Sequence, residues 1–262
     1  MSHKFFRRIA NRFLLWGIVL VIAACTVVPT TSSPTQLPPT SIGFEGVGVS
    51  SSAIAISPNG AWLAAVNPDS GSVSLLSLPA LELKNETKVG LDPRTLTFSA
   101  NSKLLYVSNF GGNSVTVLDV EKGVKAMEIA VGPMPYAAIA QKGILYVTEH
   151  ALGTVSAYDV NTGELRSQLD VEDFPAGLAM DPDAGKLYVA HLFSGKVSLI
   201  DLSNFSLEAL ISTGNETNLS QFILLDLDSN KAYLPQTRSN TTNMTLTFDA
   251  TVFPMVNVLD LT

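Results

Sequence analysis

The sequence predicts an all-β fold: a β-propeller built from about five four-stranded repeats between residues 41 and 262. Three observations carry this prediction. A Leu-Tyr-Val segment recurs roughly every 42 residues, a second apolar alternation ending in Asp follows it at a constant distance, and helical periodicity is absent. Short strands at regular spacing, separated by turn residues, are typical of radially repeated β-sheets.

Each repeat contains segments for four short strands. The Leu-Tyr-Val segment occurs at Leu105–Asn109, Leu145–Glu149 and Leu187–His191. The alternation that follows ends each time in an aspartate: Asp119, Asp159 and Asp201. A further short strand precedes a turn, as Ile54–Ile56 precedes Ser57-Pro58-Asn59-Gly60. Proline presets φ and glycine accepts a positive φ, so this tetrapeptide is turn chemistry.

These repeats resemble the YVTN family, which is known from archaeal surface-layer and bacterial secreted proteins. Tyr106–Asn109 lies nearest to the Tyr-Val-Thr-Asn motif and differs only by Ser for Thr. The resemblance covers roughly residues 42–262 and implies a propeller, which in this family usually has seven blades. It is specific for architecture and says little about activity.

The number of blades leaves two interpretations open. In the first repeat Ala64–Asn67 replaces the Tyr-Val segment, and the fifth reaches its aspartate, Asp260, only after an insertion. Residues 42–47 align with the fourth strands of other repeats, so they would complete the fifth blade and close a five-bladed ring. Alternatively, the chain is part of a seven-bladed ring with further blades beyond Thr262, which the blade number of the family favours.

The first 24 residues predict a lipoprotein signal peptide. Residues 1–12 are basic and residues 13–24 are apolar but too short to span a bilayer as a helix. Ile22-Ala23-Ala24-Cys25 resembles the bacterial lipobox, which implies cleavage before Cys25 and lipidation of its thiol. An ordinary signal peptide or an uncleaved anchor is the alternative. Residues 25–40 are rich in Pro, Ser and Thr and predict a tether, so we expect an extracytoplasmic protein anchored to the bacterial cell envelope.

Charge and cysteine content exclude several classes of function. The chain has 16 Lys+Arg and 23 Asp+Glu. Without residues 1–24, which carry four of the basic side chains, 12 basic and 23 acidic side chains remain, a formal charge of −11. Such an acidic body argues against nucleic-acid binding. A single cysteine excludes intrachain disulfides, CxxC zinc sites and CxxCH haem attachment.

Residues that differ between repeats are the better candidates for a site. The repeated aspartates and the repeated tyrosines, such as Tyr106 and Tyr188, are interpreted as turn and packing residues. The ends of second strands and the starts of inner strands carry variable polar groups, which we expect at the mouth of the central channel. The candidate binding residues, of which the last two lie in the insertion from Pro235 to Pro254, are Arg94, Tyr136, Glu149, His150, His191, Gln236 and Arg238. They would suit an anion or a polar small molecule, and solvated loop residues are the alternative interpretation.

The function predicted from these features is a non-catalytic binding or interaction scaffold with a protein or polysaccharide partner. No Gly-x-Ser-x-Gly, HExxH, P-loop or dinucleotide motif is present, and we predict no catalytic residue, metal or cofactor. The alternative is a redox or lactonase-like enzyme, since YVTN-like propellers resemble lactonase-type folds with active sites at the channel mouth. Its candidate groups would be Glu149, His150 and His191. A fusion to a cytochrome c peroxidase-like domain beyond this chain is a further form of that alternative.

Overall fold

The computed structural model describes residues 48–214, 216–239 and 252–261, and every regular element in these ranges is a β-strand. No helix within them is long and apolar enough to cross a bilayer. The predicted signal peptide, Cys25, the tether and the proposed closing strand at residues 42–47 lie outside these ranges. The strands form five antiparallel sheets, which are the blades of the predicted propeller.

The blades follow one another along the chain. A short strand, β1 (Val49–Ser50), precedes them. Blade 1 comprises β2 (Ile54–Ile56), β3 (Trp62–Asn67), β4 (Ser72–Ser77) and β5 (Glu82–Lys88). Blade 2 comprises β6 (Pro93–Phe98), β7 (Leu104–Asn109), β8 (Ser114–Asp119) and β9 (Val124–Ala130). Blade 3 comprises β10 (Pro135–Gln141), β11 (Ile144–Glu149), β12 (Thr154–Asp159) and β13 (Leu165–Asp170).

The last two blades depart from this regular plan. Blade 4 comprises β14 (Pro175–Asp181), β15 (Lys186–His191), β16 (Lys196–Asp201) and β17 (Ser206–Ser212), and β1 adds to its inner edge. Blade 5 comprises β18 (Thr217–Asn218), β19 (Leu224–Asp226), β20 (Lys231–Ser239) and β21 (Val252–Asp260). Strands β18 and β19 share one side of β20, and β21 pairs along its whole length on the other side. The ends of the insertion therefore extend a hairpin. Within the insertion, the alternation of Met244–Phe248 predicts an extra strand, and these residues lie outside the described ranges.

Apolar cores between successive blades hold the blades side by side. One cluster joins blades 1 and 2 through Val73 and Val107, and the next joins blades 2 and 3 through Val117 and Val147. Two more clusters join blade 3 to blade 4 and blade 4 to blade 5. The alternating apolar residues of inner, second and third strands supply these cores, while outer strands such as β9 are mostly exposed. Burial of this apolar surface is the main stabilising contribution to the fold.

The residues interpreted as scaffold have the predicted roles. Tyr106 and Tyr188 are buried in clusters that span two blades. The carboxylate of Asp159 accepts hydrogen bonds from the amides of Asn161 and Thr162, at 2.9 and 3.0 Å. An ion pair with Arg166 and these amides lower the pKa of Asp159 to about 2. Asp119 and Asp201 likewise accept from the amides of Lys122 and Ser203, at 2.9 and 2.8 Å, so these aspartates fix the turn after the third strand in blades 2 to 4.

The segment before blade 1 crosses the central channel. Gly48 N donates to Leu225 O of blade 5 at 3.2 Å, and β1 pairs with β14 of blade 4. Ser52 then exchanges backbone hydrogen bonds with Leu96 of blade 2, at 3.2 and 2.8 Å. Residues 48–52 thus tie blades 2, 4 and 5 together from inside. This arrangement was not predicted from the repeats.

Candidate functional site

Two sets of connections meet at one end of the blades, which we call the crossover face. One set leads from each outer strand into the next blade, and the other joins the second and third strands. Backbone hydrogen bonds of 3.0 to 3.1 Å join the two sets in blades 2, 3 and 4. They run from Phe110 N to Asp92 O, from His150 N to Met134 O and from Leu192 N to Phe174 O. All candidate residues chosen in blades 2 to 4 lie at or just beneath this face.

The polar residues that end the second strands point into their own blades. Asn109 donates to Ser114 Oγ and Thr116 Oγ1, at 3.0 and 2.8 Å, and its Oδ1 accepts from Gly90 N at 3.0 Å. Gly90 begins the connection into blade 2, and a Cβ there would overlap the Asn109 side chain. Asn109 therefore anchors the incoming connection to the end of blade 2.

Glu149 is the most completely engaged of these residues. Its carboxylate is fully buried and accepts from Tyr158 OH at 2.5 Å, Ser156 Oγ at 2.8 Å, Thr154 Oγ1 at 2.9 Å and Gly132 N at 2.9 Å. Burial by itself raises the pKa of Glu149, but these hydrogen bonds outweigh it and leave that pKa below its usual value. The group is thus a buried, ionised carboxylate that holds blade 3 together.

His191 has the equivalent position in blade 4 and is also fully buried. Its Nδ1 lies 3.2 Å from Asp173 O and its Nε2 lies 2.8 Å from Ser198 Oγ. Because a carbonyl oxygen only accepts, Nδ1 carries the proton and Nε2 accepts from the serine. Burial lowers the pKa of His191 to about 4, so the imidazole is neutral at pH 7.

The candidates in blade 5 are set apart from the others. Gln236 is buried and its Oε1 accepts from Thr213 Oγ1 at 3.1 Å and from Asn257 Nδ2. Arg238 is exposed on β20, opposite Thr217 and Phe253 in the sheet. Glu149, His191 and Gln236 therefore act within three separate blades, and the structure does not bring them together.

Three of the predicted residues do meet, in what we call the aromatic strip. This strip consists of Arg94, Phe110, Tyr136, His150, Phe174 and Phe193. The Arg94 guanidinium lies 5.0 Å from the centre of the Phe110 ring, and Phe110 packs edge-on against Tyr136 with ring centres 6.0 Å apart. The His150 ring lies 5.8 Å from Tyr136 and 5.3 Å from Phe174, which in turn packs edge-on against Phe193 at 5.1 Å. The strip is continuous across blades 2, 3 and 4.

The outer part of the strip is open to solvent. Phe174 and Phe193 are 44% and 54% exposed, whereas Tyr136 and His150 are only 9% exposed. His150 Nδ1 donates to Pro175 O at 3.0 Å, and burial lowers the pKa of His150. The strip therefore presents the exposed rings of Phe174 and Phe193 on a packed aromatic base, with the Arg94 guanidinium at its blade 2 end.

The residue before the proline that begins β6, β10 and β14 has a left-handed backbone conformation, with a φ of 49° at Asp92. Met134 and Phe174 have φ values of 55°, and each directly precedes a proline that begins an inner strand. Non-glycine residues rarely adopt this left-handed conformation, which costs of order 1 kcal/mol or more. Met134 is 43% exposed, so the strain does not serve to bury its side chain.

Sequence reasoning missed Phe110, Phe174 and Phe193. These three residues occupy different positions in the repeat. A comparison of the residues at one position across all repeats therefore does not identify them as a set. A large apolar residue within an otherwise polar connection would have indicated these positions, as Phe174 does in Glu172-Asp173-Phe174-Pro175. Large aromatic residues are uncommon in connections unless they pack or bind.

A large cavity lies at the opposite end of the channel. It has a volume of about 910 Å³ and is lined mainly by apolar residues, among them Val49, Ile56, Phe98, Met180 and Leu224. Within the described ranges, no three His, Cys, Asp or Glu side chains are grouped as metal ligands. The cavity and the aromatic strip are therefore separate features.

A family model and two curated proteins match parts of this chain. Residues 26–128 match the sequence model of a family described as "Lactonase, 7-bladed beta-propeller". Antigen Lp49 of Leptospira interrogans is 25% identical over 161 residues, and the uncharacterized protein YwhL of Bacillus subtilis is 29% identical over 155 residues. These matches cover 52% and 55% of this chain, but only 35% and 32% of the relatives. The chain thus spans about a third of the length of the curated relatives it matches.

Solved structures give the same architecture at low sequence identity. Hydrazine synthase of Kuenenia stuttgartiensis superposes with a TM-score of 0.72 and 17% identity, over 80% of this chain and 62% of that one. A functionally unknown protein of Desulfotomaculum acetoxidans gives a TM-score of 0.59 and 15% identity, over 78% and 70% of the two chains. At these identities the likeness extends to the fold alone.

Proposed function

We propose that this chain is a lipid-anchored, extracytoplasmic β-propeller that acts as a non-catalytic scaffold and binds a partner through its crossover face. The exposed aromatic strip is the observation that carries this proposal. It is a continuous ring surface on a rigid sheet framework, whereas buried polar groups such as Glu149 and His191 are engaged within their blades. Exposed apolar patches on soluble domains commonly mark interaction sites.

A lactonase-like enzyme is the second candidate, because residues 26–128 match a family with that name. Its predicted groups were Glu149, His150 and His191. All three side chains are buried, and each makes its hydrogen bonds to groups of the propeller itself. Reaction at this face would require them to exchange these partners for a substrate, so the geometry supports a binding surface better.

The anchor is tested by replacing the single cysteine. In Cys25→Ser, expressed with its own N-terminal region in a bacterial host, we expect the protein to move from the membrane fraction to the soluble extracytoplasmic fraction. Several acyl chains hold a protein on a bilayer stably, at about 0.8 kcal/mol per buried methylene, and the substitution removes the thiol that would carry them. Fractionation followed by immunodetection measures the change. Unchanged membrane association would show that Cys25 carries no anchoring lipid.

The scaffold is tested with the aromatic strip removed. In the soluble Cys25→Ser background, Phe174→Ala/Phe193→Ala should bind isolated bacterial envelopes roughly ten-fold more weakly, because the two most exposed rings are lost. Leu207→Ala/Leu210→Ala is the matched control, since both leucines are 43% exposed on the outer strand of the same blade. Equal binding by all three proteins would refute a scaffold that works through this face. Hydrolysis of lactones by the purified protein would instead favour the enzyme.

A further inference from the structure

We infer that the aromatic strip docks a polypeptide segment that carries apolar side chains together with Lys or Arg. The inference rests on the proposed function and adds the chemistry of the partner. Three features of the crossover face support it: its apolar exposure, its fixed geometry and its charge.

Further exposed apolar side chains lie in the same connections as the rings or next to them. Leu91 and Leu152 are 71% and 52% exposed and lie in connections of the same face as Phe174 and Phe193. Leu91 O accepts from Gly111 N at 3.1 Å, next to Phe110 of the strip, and Leu152 belongs to the same connection as His150. An apolar surface of this kind, spread over three blades, matches a segment with several apolar side chains better than a single small group.

The geometry of the face is already set in the free protein. The connections that carry Phe174 and Phe110 are fastened by Leu192 N to Phe174 O and Phe110 N to Asp92 O, both at 3.0 Å. The proline after Phe174 restricts the backbone further. The conformational entropy of these connections is therefore lost during folding and not on binding, which favours affinity for a partner.

The charge of the face favours a basic partner. Arg94 is paired with Asp92, and Lys196 is paired with Glu172, each at 2.9 Å. Asp173, next to Phe174, is exposed and has no ion-pair partner among the described residues. Together with the −11 charge outside residues 1–24, this makes Lys or Arg the complementary side chains.

A polysaccharide fits these observations less well. Recognition of a sugar combines ring stacking with several hydrogen bonds to its hydroxyl groups. Two polar groups of the strip are already engaged, since Arg94 binds Asp92 and His150 Nδ1 binds Pro175 O. The side chains exposed beside these groups include the rings of Phe174 and Phe193, the side chains of Leu91 and Leu152, and the carboxylate of Asp173, which suit an apolar and basic segment better than the hydroxyl groups of a sugar.

The test uses three synthetic peptides and the soluble Cys25→Ser chain. The first peptide combines Leu, Phe and Lys, the second has Glu in place of Lys, and the third has Ser in place of Leu and Phe. Binding is measured by fluorescence anisotropy at low and at physiological salt. We expect the first peptide to bind at least roughly ten-fold more tightly than either other, and more weakly as salt rises.

Variants assign that binding to the strip. Phe174→Ala/Phe193→Ala should lower the affinity for the first peptide by about 100-fold. Asp173→Asn should lower this affinity by a few-fold and reduce its dependence on salt. The controls are Leu207→Ala/Leu210→Ala, and Asp183→Asn at the opposite end of blade 4, which should leave binding unchanged.

Each other outcome overturns the inference in a recognisable way. Equal affinity for the Lys and Glu peptides would show that the partner is not selected by its basic side chains. Binding of soluble glycans, lost in Phe174→Ala/Phe193→Ala, would make the partner a polysaccharide and leave the scaffold intact. Peptide binding that ignores the strip variants, while envelope binding depends on them, would likewise refute this partner and not the proposed function.

Discussion

Replacement of Glu149 by leucine is expected to lower the free energy of unfolding by about 4 kcal/mol. The carboxylate is fully buried and accepts hydrogen bonds from Tyr158, Ser156, Thr154 and Gly132. Leucine accepts none of them, so several buried donors lose their partner, each at a cost of about 1–3 kcal/mol before relaxation. Urea unfolding followed by circular dichroism measures the change.

Glu164 provides the matched control because it lies in the same blade and is exposed. Glu164→Ala should change the unfolding free energy by no more than about 0.5 kcal/mol. Glu149→Gln keeps the shape but points an amide NH₂ at groups that already donate, so its cost should lie between those of the other two. If Glu149→Leu were as stable as the control, Glu149 would not be an anchor, and its place in a ligand site would regain support.

The sequence predicted the propeller because each blade repeats the same physical pattern. Alternating apolar residues, as in Val115-Thr116-Val117-Leu118-Asp119, specify a strand packed between neighbours, and the aspartate that follows fixes the turn. Repetition of this unit at a constant interval requires radial stacking, since one blade cannot bury both its faces alone. Five repeats therefore became five blades.

A sequence pattern indicates the direction of the polar side chains that end the second strands. Asn109 is followed by Ser114 and Thr116, and Glu149 by Thr154 and Ser156, at the same spacing. These hydroxyl groups lie on the adjacent third strand and are the partners of the anchoring side chain. A polar residue with its own hydroxyl partners points into its blade, which is why Glu149 and His191 do not meet across the channel.

The aromatic strip and the channel segment could not be derived in this way. Phe110, Tyr136 and Phe174 occupy three different positions of the repeat and meet only because adjacent blades turn about a common axis. The pairing of Val49 with Met180 likewise depends on the width of the channel. Both are consequences of packing between blades, and the repeat pattern describes only the blade itself.

Acid should destabilise this protein through His191, and His191→Gln should remove that effect. Burial holds the pKa of His191 at about 4 in the folded state, against about 6.5 in an unfolded chain. Between these values the unfolded state binds a proton that the folded state does not, so stability is complete above about pH 6.5 and falls as the pH approaches 4. The difference corresponds to about 3 kcal/mol at pH 4.

Glutamine is the substitution that the fold itself suggests, since Gln236 has the equivalent position in blade 5 and forms hydrogen bonds there. His191→Gln should keep a partner for Ser198 and have near wild-type stability at pH 7. Urea titrations at about pH 7 and about pH 4.5 give the loss of unfolding free energy for each protein, and we expect the loss to be about 2 kcal/mol smaller in the variant. Glu149, whose lowered pKa also makes stability fall in acid, is present in both proteins and cancels in this difference. An identical loss in both proteins would mean that His191 takes up a proton in the folded state near its ordinary pKa. Its imidazole would then not be shielded from solvent inside blade 4.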